Sequence, residues 1–301
     1  MRITRNMIND RVQWNLSRIL RNFGKLQDQL SSGVRVQYPS DDSVVAFRVS
    51  NFNARLREFK QQERDIDTAR NHVGYFDSAL QEYSSVLHRV KELMVRASTG
   101  TMSEADRKAI MEELERIKEH IATIANTKVG GKYLFGGTSS DIPPVVKDED
   151  GRYKVVLTPD TRNLKIDVFG RDIEYTILAG ELFITKSGDS VFDAIDRMVQ
   201  HLRSPEEAGT LLNTVDIEAV DKALNTVMEA FAKIGAVSRI LDFASDRLKD
   251  LDVYTTEVLS KEQDTDITEV VSKLAMKQAT LQAALKSAAQ VMQPSLLDFL
   301  R

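Results

Sequence analysis

The feature that most constrains this chain is a seam of apolar residues at both ends, with nothing in either end segment to cover it. From Ile267 the seam runs Ile267, Val271, Leu274, Leu281, Leu285, Ala288 and Met292, with the polar Gln278 in its middle. Steps of four and three keep one stripe of a helix turned toward another helix. The small residues between them, Ala275, Ala279, Ala283, Ala284 and Ala289, allow neighbouring helices a close approach. Pro294 stops or bends this helix. Beyond it come Leu296, Leu297, Phe299 and Leu300, four large apolar side chains where most chains are polar and solvated. Such an end needs a burial site, in this molecule or in another.

The other end matches it. Val12, Leu16, Ile19, Phe23, Leu26 and Leu30 repeat at fours and threes, and Ser31-Ser32-Gly33 supplies a helix stop. Pro39-Ser40-Asp41-Asp42 then offers the cap of a long helix. Its stripe runs Val45, Val49, Phe52, Leu56, Phe59, Ile66, Ala69, Val73, Phe76, Leu80, Tyr83, Leu87, Val90 and Met94. Thr99-Gly100-Thr101 breaks it, and Ser103 with Asp106 forms a capping box for a third helix on Ile110, Leu114, Ile117, Ile121 and Ile124. A short break between strong helices implies an antiparallel return.

The period then changes. Gly130-Gly131 and Gly136-Gly137 bracket an aromatic stretch, and residues 142–185 alternate apolar and polar, with a hairpin signal at Asp150-Gly151. This reads as one small antiparallel β domain of three to five strands. Ser190 caps a helix on Val191, Phe192, Ile195, Met198, Val199 and Leu202, and Ser204-Pro205 ends it. The seam returns at Ile217, Val220, Leu224, Val227, Phe231, Ile234, Leu241 and Leu248, and Asp264-Thr265-Asp266 interrupts it and caps the terminal helix. The expected fold is mainly α: an elongated antiparallel helical bundle, a rod made of the N- and C-terminal segments, with a small antiparallel β domain inserted at its tip. Residues 1–42 and 264–301 are the terminal helices, 43–130 and 190–263 the helical rod, and 131–189 the β-rich insert.

Composition removes several function classes. A net charge of -4 with both signs mixed throughout lacks the concentrated basic face that nucleic acid needs. No apolar run approaches the ~20 residues of a membrane span, and the start shows no apolar core of a cleaved signal peptide. There is no cysteine, so no disulfide and no thiolate metal site. His72, His88, His120 and His201 are spaced too widely to pair on a helix as metal ligands. The glycine pairs lack the Lys-Ser/Thr of a phosphate loop, and Asp41-Asp42 is a helix cap rather than an acid–base pair. No catalytic, metal or cofactor site is expected, and the chain is not expected to be an enzyme.

The terminal seams set an energetic problem. Each buries six or seven large side chains at best, on the order of 10–20 kcal/mol. Ordering ~27 residues costs roughly 1–2 kcal/mol each for the backbone. A lone terminal helix is therefore marginal, and the expectation is that these helices are mobile in a monomer and ordered by assembly. The expected interface residues are Leu16, Ile19, Phe23, Leu26 and Leu30 at one end. At the other they are Ile267, Val271, Leu274, Leu281, Leu285, Met292, Leu296, Leu297, Phe299 and Leu300. Trp14, off the first seam, marks a second contact face.

These residues carry a resemblance. Leu30-Ser31-Ser32-Gly33-Val34-Arg35-Val36 followed by Pro39-Ser40-Asp41-Asp42 is similar to the signature that precedes the long helix in the flagellin superfamily. Asp264-Thr265-Asp266-Ile267-Thr268-Glu269 and the closing Leu296-Leu297-Asp298-Phe299-Leu300-Arg301 resemble the C-terminus of that superfamily. Ala125-Asn126 with Gly131-Lys132-Tyr133-Leu134-Phe135-Gly136-Gly137, and the helix Ser190–Asp196, resemble its hook–filament junction branch more than filament flagellin. The resemblance implies a secreted structural subunit of the extracellular bacterial flagellum, exported without a cleaved signal. It implies a ring of copies set between the first hook–filament junction protein and flagellin, and a cytoplasmic export chaperone at the C-terminal region. No nucleic acid and no membrane are expected as partners. The competing readings are filament-forming flagellin and, from another class, a cytosolic coiled-coil scaffold.

Overall fold

The structure, a computed structural model, describes residues 5–98, 102–185, 188–203 and 215–292. The Thr99–Thr101 break, the Ser204-Pro205 stop and the apolar residues beyond Pro294 lie outside the described residues. The described elements are α1 (Arg5–Ser32), α2 (Ser43–Ala97), α3 (Glu104–Ala125), α4 (Ala179–Phe183), α5 (Val191–Arg203), α6 (Ile217–Gln263) and α7 (Ile267–Met292). Six strands lie between α3 and α4: β1 (Lys128–Val129), β2 (Lys132–Tyr133), β3 (Val145–Lys147), β4 (Tyr153–Val155), β5 (Lys165–Val168) and β6 (Arg171–Glu174). The chain divides into two compact units, Met1–Phe59 with Asp250–Arg301, and Lys60–Lys249.

Helix starts follow local chemistry. Asp42 Oδ1 accepts from the amides of Val44 and Val45 at 3.1 Å and caps α2. Ser103 and Asp106 exchange bonds in a full capping box at α3, and those bonds to Ser103 hold the Asp106 carboxyl below its usual range. Ser190 Oγ accepts from the Phe192 amide at α5, and Asp266 Oδ1 from the Glu269 amide at α7.

The core of the larger unit is built on the α2 stripe. Ile66, Ala69, Val73, Phe76, Leu80, Tyr83, Leu87, Val90 and Met94 are all buried. On α6 the buried stripe is Val220, Ala223, Val227, Ala230, Ile234, Val237, Leu241, Ala244 and Leu248, an unbroken run of threes and fours. The large side chains of the expected seam, Leu224 and Phe231, are only half-buried, and neither is part of it. Ala223 and Ala230 are buried in their place.

The strands are antiparallel and lie in the insert, as expected, but they do not join into one sheet. They form three separate antiparallel two-stranded hairpins, β1–β2, β3–β4 and β5–β6. A lone hairpin is marginal in water, and here a chain of aromatic rings supports them. Phe76 of α2 meets Phe135 edge-on at 5.4 Å, Phe135 meets Phe183 of α4 at 5.5 Å, and Tyr83 meets Phe183 at 4.9 Å. Phe183 continues to Phe192 of α5 at 6.3 Å, and Phe192 to Tyr153 of β4 at 5.5 Å. Such pairs are each worth about 0.5–1.5 kcal/mol beyond burial. Alternation marks the strands but not their partners, which are aromatic residues distant in sequence.

Two residues fix the start of the insert. Asn126, following α3, donates from Nδ2 to the Val145 carbonyl at 2.8 Å and accepts the Val145 amide at 3.1 Å. Gly137 has φ +52, and a Cβ there would lie 2.4 Å from the Arg162 carbonyl oxygen. Only glycine fits that approach.

Candidate assembly interface

In the smaller unit, α1 and α7 pack against each other. The Gly33 carbonyl accepts from the Thr265 amide at 2.9 Å, placing the end of α1 beside the start of α7, so the two run antiparallel. The connectors on either side are also joined. The Arg35 amide donates to the Gln263 carbonyl at 2.7 Å, Val34 pairs with Asp264, and Arg35 Nη2 reaches the Glu262 carbonyl at 3.0 Å. Gln29 Nε2 donates to the Arg35 carbonyl at 2.8 Å. Arg48 of α2 bridges to Glu262 at 2.9 Å, and Lys25 of α1 to Asp41 at 2.8 Å. The bond to Lys25, and then the bond from the Tyr38 amide, hold the Asp41 carboxyl below its usual range. Ion pairs this exposed add little energy. The backbone bonds set the geometry.

On α1 the residues singled out from the sequence, Leu16, Ile19, Phe23, Leu26 and Leu30, are half-buried together with Val12. On α7 the covered stripe is Val270, Leu274, Leu281, Ala284 and Ala288, with Val270 fully buried. Of the residues expected on this helix, Leu274 and Leu281 fall in that stripe. Ile267, Val271 and Leu285 do not: they are 58%, 48% and 49% exposed. The side chain of Met292, and all of Leu296, Leu297, Phe299 and Leu300, lie outside the described residues. Spacing read from large side chains finds only part of this stripe, because two of its members are Ala284 and Ala288. Counting alanines as seam positions adds 284 and 288 to 270, 274 and 281 at helical spacing, and that is the signal that finds them.

Helix α7 thus carries two stripes, one against α1 and one open. Leu20 on α1 is exposed as well, and Trp14 is exposed with the Arg18 guanidinium 4.9 Å over its ring. Val44 and Phe47 at the start of α2, and Val253 and Tyr254 on α6, add to the exposed apolar surface of this unit.

Among the described residues no three His, Cys, Asp or Glu are placed to hold a metal ion, and no helix is long and apolar enough to cross a membrane. His72 is half-buried with its ring edge on Tyr175 at 5.9 Å, and burial pushes its pKa down. His201 Nδ1 lies 2.7 Å from Asp216 Oδ2. Burial pushes the Asp216 carboxyl up, against the bond to His201. Gly130 and Gly131, both at positive φ, make the turn between β1 and β2.

Comparison with known proteins bears on what the α1–α7 surface does. Residues 3–140 match the bacterial flagellin N-terminal helical region, and residues 217–300 match the bacterial flagellin C-terminal helical region. The chain is 25% identical to flagellar hook-associated protein 3 of Salmonella typhimurium, over 95% of this chain and 96% of that protein. It is 26% identical to the flagellin of Bacillus subtilis, over 89% of each. Its fold is similar to that of flagellar hook associated protein-3 from Legionella pneumophila, with a TM-score of 0.65 at 16% identity, covering 71% of this chain and 98% of that one.

Proposed function

The chain belongs to the flagellin superfamily, and on that premise we propose that it is a structural junction subunit of the hook-associated protein 3 type, joining hook to filament. It works as part of the extracellular flagellum, assembled with other flagellar components. The observation that carries the reading is the α1–α7 pair, which covers one stripe of α7 and leaves Ile267, Val271 and Leu285 open. Uncovered apolar residues at coiled-coil spacing are a cost to a free monomer and a gain to an assembled one.

In this reading residues 1–42 and 264–301 supply the inner layers of the polymer, with Leu16, Ile19, Phe23, Leu26, Leu30, Leu274 and Leu281 holding each copy's own pair. Ile267, Val271 and Leu285, with Met292, Leu296, Leu297, Phe299 and Leu300, pack between copies. Residues 43–130 and 190–263 form the wall, and 131–189 the insert. The neighbours are the first junction protein on one side and flagellin on the other, and a cytoplasmic chaperone holds the C-terminal region before export.

Deleting the gene tests this directly. Cells without the chain should carry bare hooks and release unpolymerised flagellin into the medium, and restoring the chain should restore filaments. Filaments that persist on the deleted cells would overturn the proposal. The similarity to flagellin of Bacillus subtilis favours a second reading, a filament subunit. It predicts that the purified chain alone grows into long filaments.

A further inference from the structure

The insert holds a hollow of about 200 Å³. Phe135, Pro143, Pro144, Val156, Leu157 and Leu178 give it apolar walls, and Ser139, Thr158, Thr161 and Glu181 also line it. These stretches of chain are tied to one another. The Val156 amide donates to the Pro144 carbonyl at 2.8 Å, and the Thr138 amide to the Arg162 carbonyl at 3.0 Å. Thr161 Oγ1 donates to Ser139 Oγ at 3.0 Å. Glu181 is held twice, with Asn163 Nδ2 donating to Oε1 and Lys233 Nζ to Oε2, each at 2.8 Å. The hollow is therefore formed in advance of any ligand, as binding sites usually are.

Two glycines keep it open. Gly136 and Gly180 both line the hollow, and neither has a positive φ. A Cβ on Gly136 would make only ordinary contacts, the nearest with Tyr133 Cβ at 3.5 Å. A Cβ on Gly180 would meet one atom, Leu157 Cδ2, at 2.7 Å. Leu157 is 66% exposed, so its side chain has room to swing away. The fold would therefore accept a larger residue at 180, and in a helical turn alanine is more stable than glycine. What glycine preserves there is the open space and the position of Leu157 beside it. Ile142, which also lines the hollow, is 45% exposed. A bound apolar group would take both of these side chains out of water.

We propose that this hollow is a binding site for a small uncharged aromatic molecule, of one or two fused rings, that carries a single N–H or O–H donor. Size sets the ring. A closed cavity of about 150 Å³ takes benzene, and this hollow is somewhat larger. Phe135, Pro143 and Pro144 offer ring carbons for a flat ligand to pack against. Polarity sets the donor. Each Glu181 oxygen accepts one bond among the described residues, and a carboxylate oxygen has room for about two. A neutral donor can use what is left. A ligand carboxylate would meet the Glu181 charge, and a ligand cation would compete with Lys233 for it. The site belongs wholly to the larger unit and owes nothing to how α1 and α7 assemble.

Indole is the probe, added to the full chain and followed by titration calorimetry and saturation-transfer NMR, with toluene and benzoate as controls. Indole should bind saturably. Toluene lacks the donor and should bind about tenfold more weakly, and benzoate should not bind. Gly180→Leu fills the hollow and should weaken indole binding about tenfold or more. Leu157→Ala, at an exposed position, removes one wall and should weaken it about threefold or more. Circular dichroism of both variants should match the parent, and if Gly180→Leu does not fold, Leu157→Ala decides. Absence of saturable indole binding to the parent overturns the site, as does indole binding unchanged in the folded variants. Equal binding of indole and toluene overturns the role of the donor, and binding of benzoate overturns the choice of an uncharged ligand.

Discussion

Lys118 Nζ lies 2.6 Å from Asp196 Oδ1, a charged bond between α3 and α5 in which the lysine is almost wholly buried. Glu115, one turn earlier on α3, shares the same ammonium at 2.6 Å. Burial alone would lower the Lys118 pKa. The bonds to Asp196 and Glu115 outweigh it and leave the group raised. A group raised in the fold stabilises fully below the unfolded value of 10.5 and loses that contribution as pH climbs through the folded value. Replacing Asp196→Ala should cost about 1–3 kcal/mol at neutral pH. Urea titrations at rising pH should show the gap between parent and variant shrinking above pH 10.5.

Tyr83 presents the opposite case. Its ring is fully buried against Phe183, and its hydroxyl finds no partner among the described residues. Tyr83→Phe keeps the ring and removes the orphaned group, so it should stabilise by about 1 kcal/mol. Burial pushes the phenol up, so the folded state keeps a proton that the unfolded chain gives up above pH 10. The advantage of the Phe variant should widen with pH there, as read by thermal melts.

Asn126 closes two bonds on Val145 with one amide. Asn126→Ala strands the Val145 amide and carbonyl, and about 1–3 kcal/mol should be lost. Hydrogen exchange should localise the loss to β3 and β4, with α7 unaffected.

Gly137→Ala should be more severe, about 3 kcal/mol or more, because strain at positive φ adds to a clash with the Arg162 backbone. Limited proteolysis within residues 138–165 is the readout. Resistance equal to the parent would contradict the close approach.

The two stripes of α7 should separate in mutagenesis. Leu281→Ala, on the stripe covered by α1, should lower the stability of the monomer's terminal pair by about 1–3 kcal/mol. Val271→Gln, on the open stripe, should leave monomer melting unchanged and reduce incorporation into flagella. Circular dichroism of the monomer and immunoblots of isolated flagella distinguish them.

The long helices are legible in the sequence because their stripes are long. From Ile66 to Met94 the spacing names nearly every buried residue of α2, and Asp42, Ser103, Ser190 and Asp266 each announce the helix that follows. Reading fails where size and closeness disagree. Ala223 and Ala230 are buried and Ala284 is half-buried, yet a search for large side chains passes over all three. Lys118 escapes for a related reason: on an apolar face a lysine reads as an interruption, and only Asp196 from another helix makes it part of the core. The hairpins are visible as alternation, but nothing local tells that they form three separate two-stranded sheets, or that Phe76, Phe135 and Phe183 meet ring to ring. The resemblance marks Ala125-Asn126 without giving a reason, and the reason is a bond across 19 positions to Val145.

The stitches between Gly33 and Thr265 and between Arg35 and Gln263 tie together points more than two hundred positions apart along the chain. A ribosome makes Gly33 and Arg35 long before Gln263 and Thr265, so these bonds cannot form until the chain is nearly finished. Until α7 emerges, α1 has no antiparallel neighbour, and its covered stripe stays open to water.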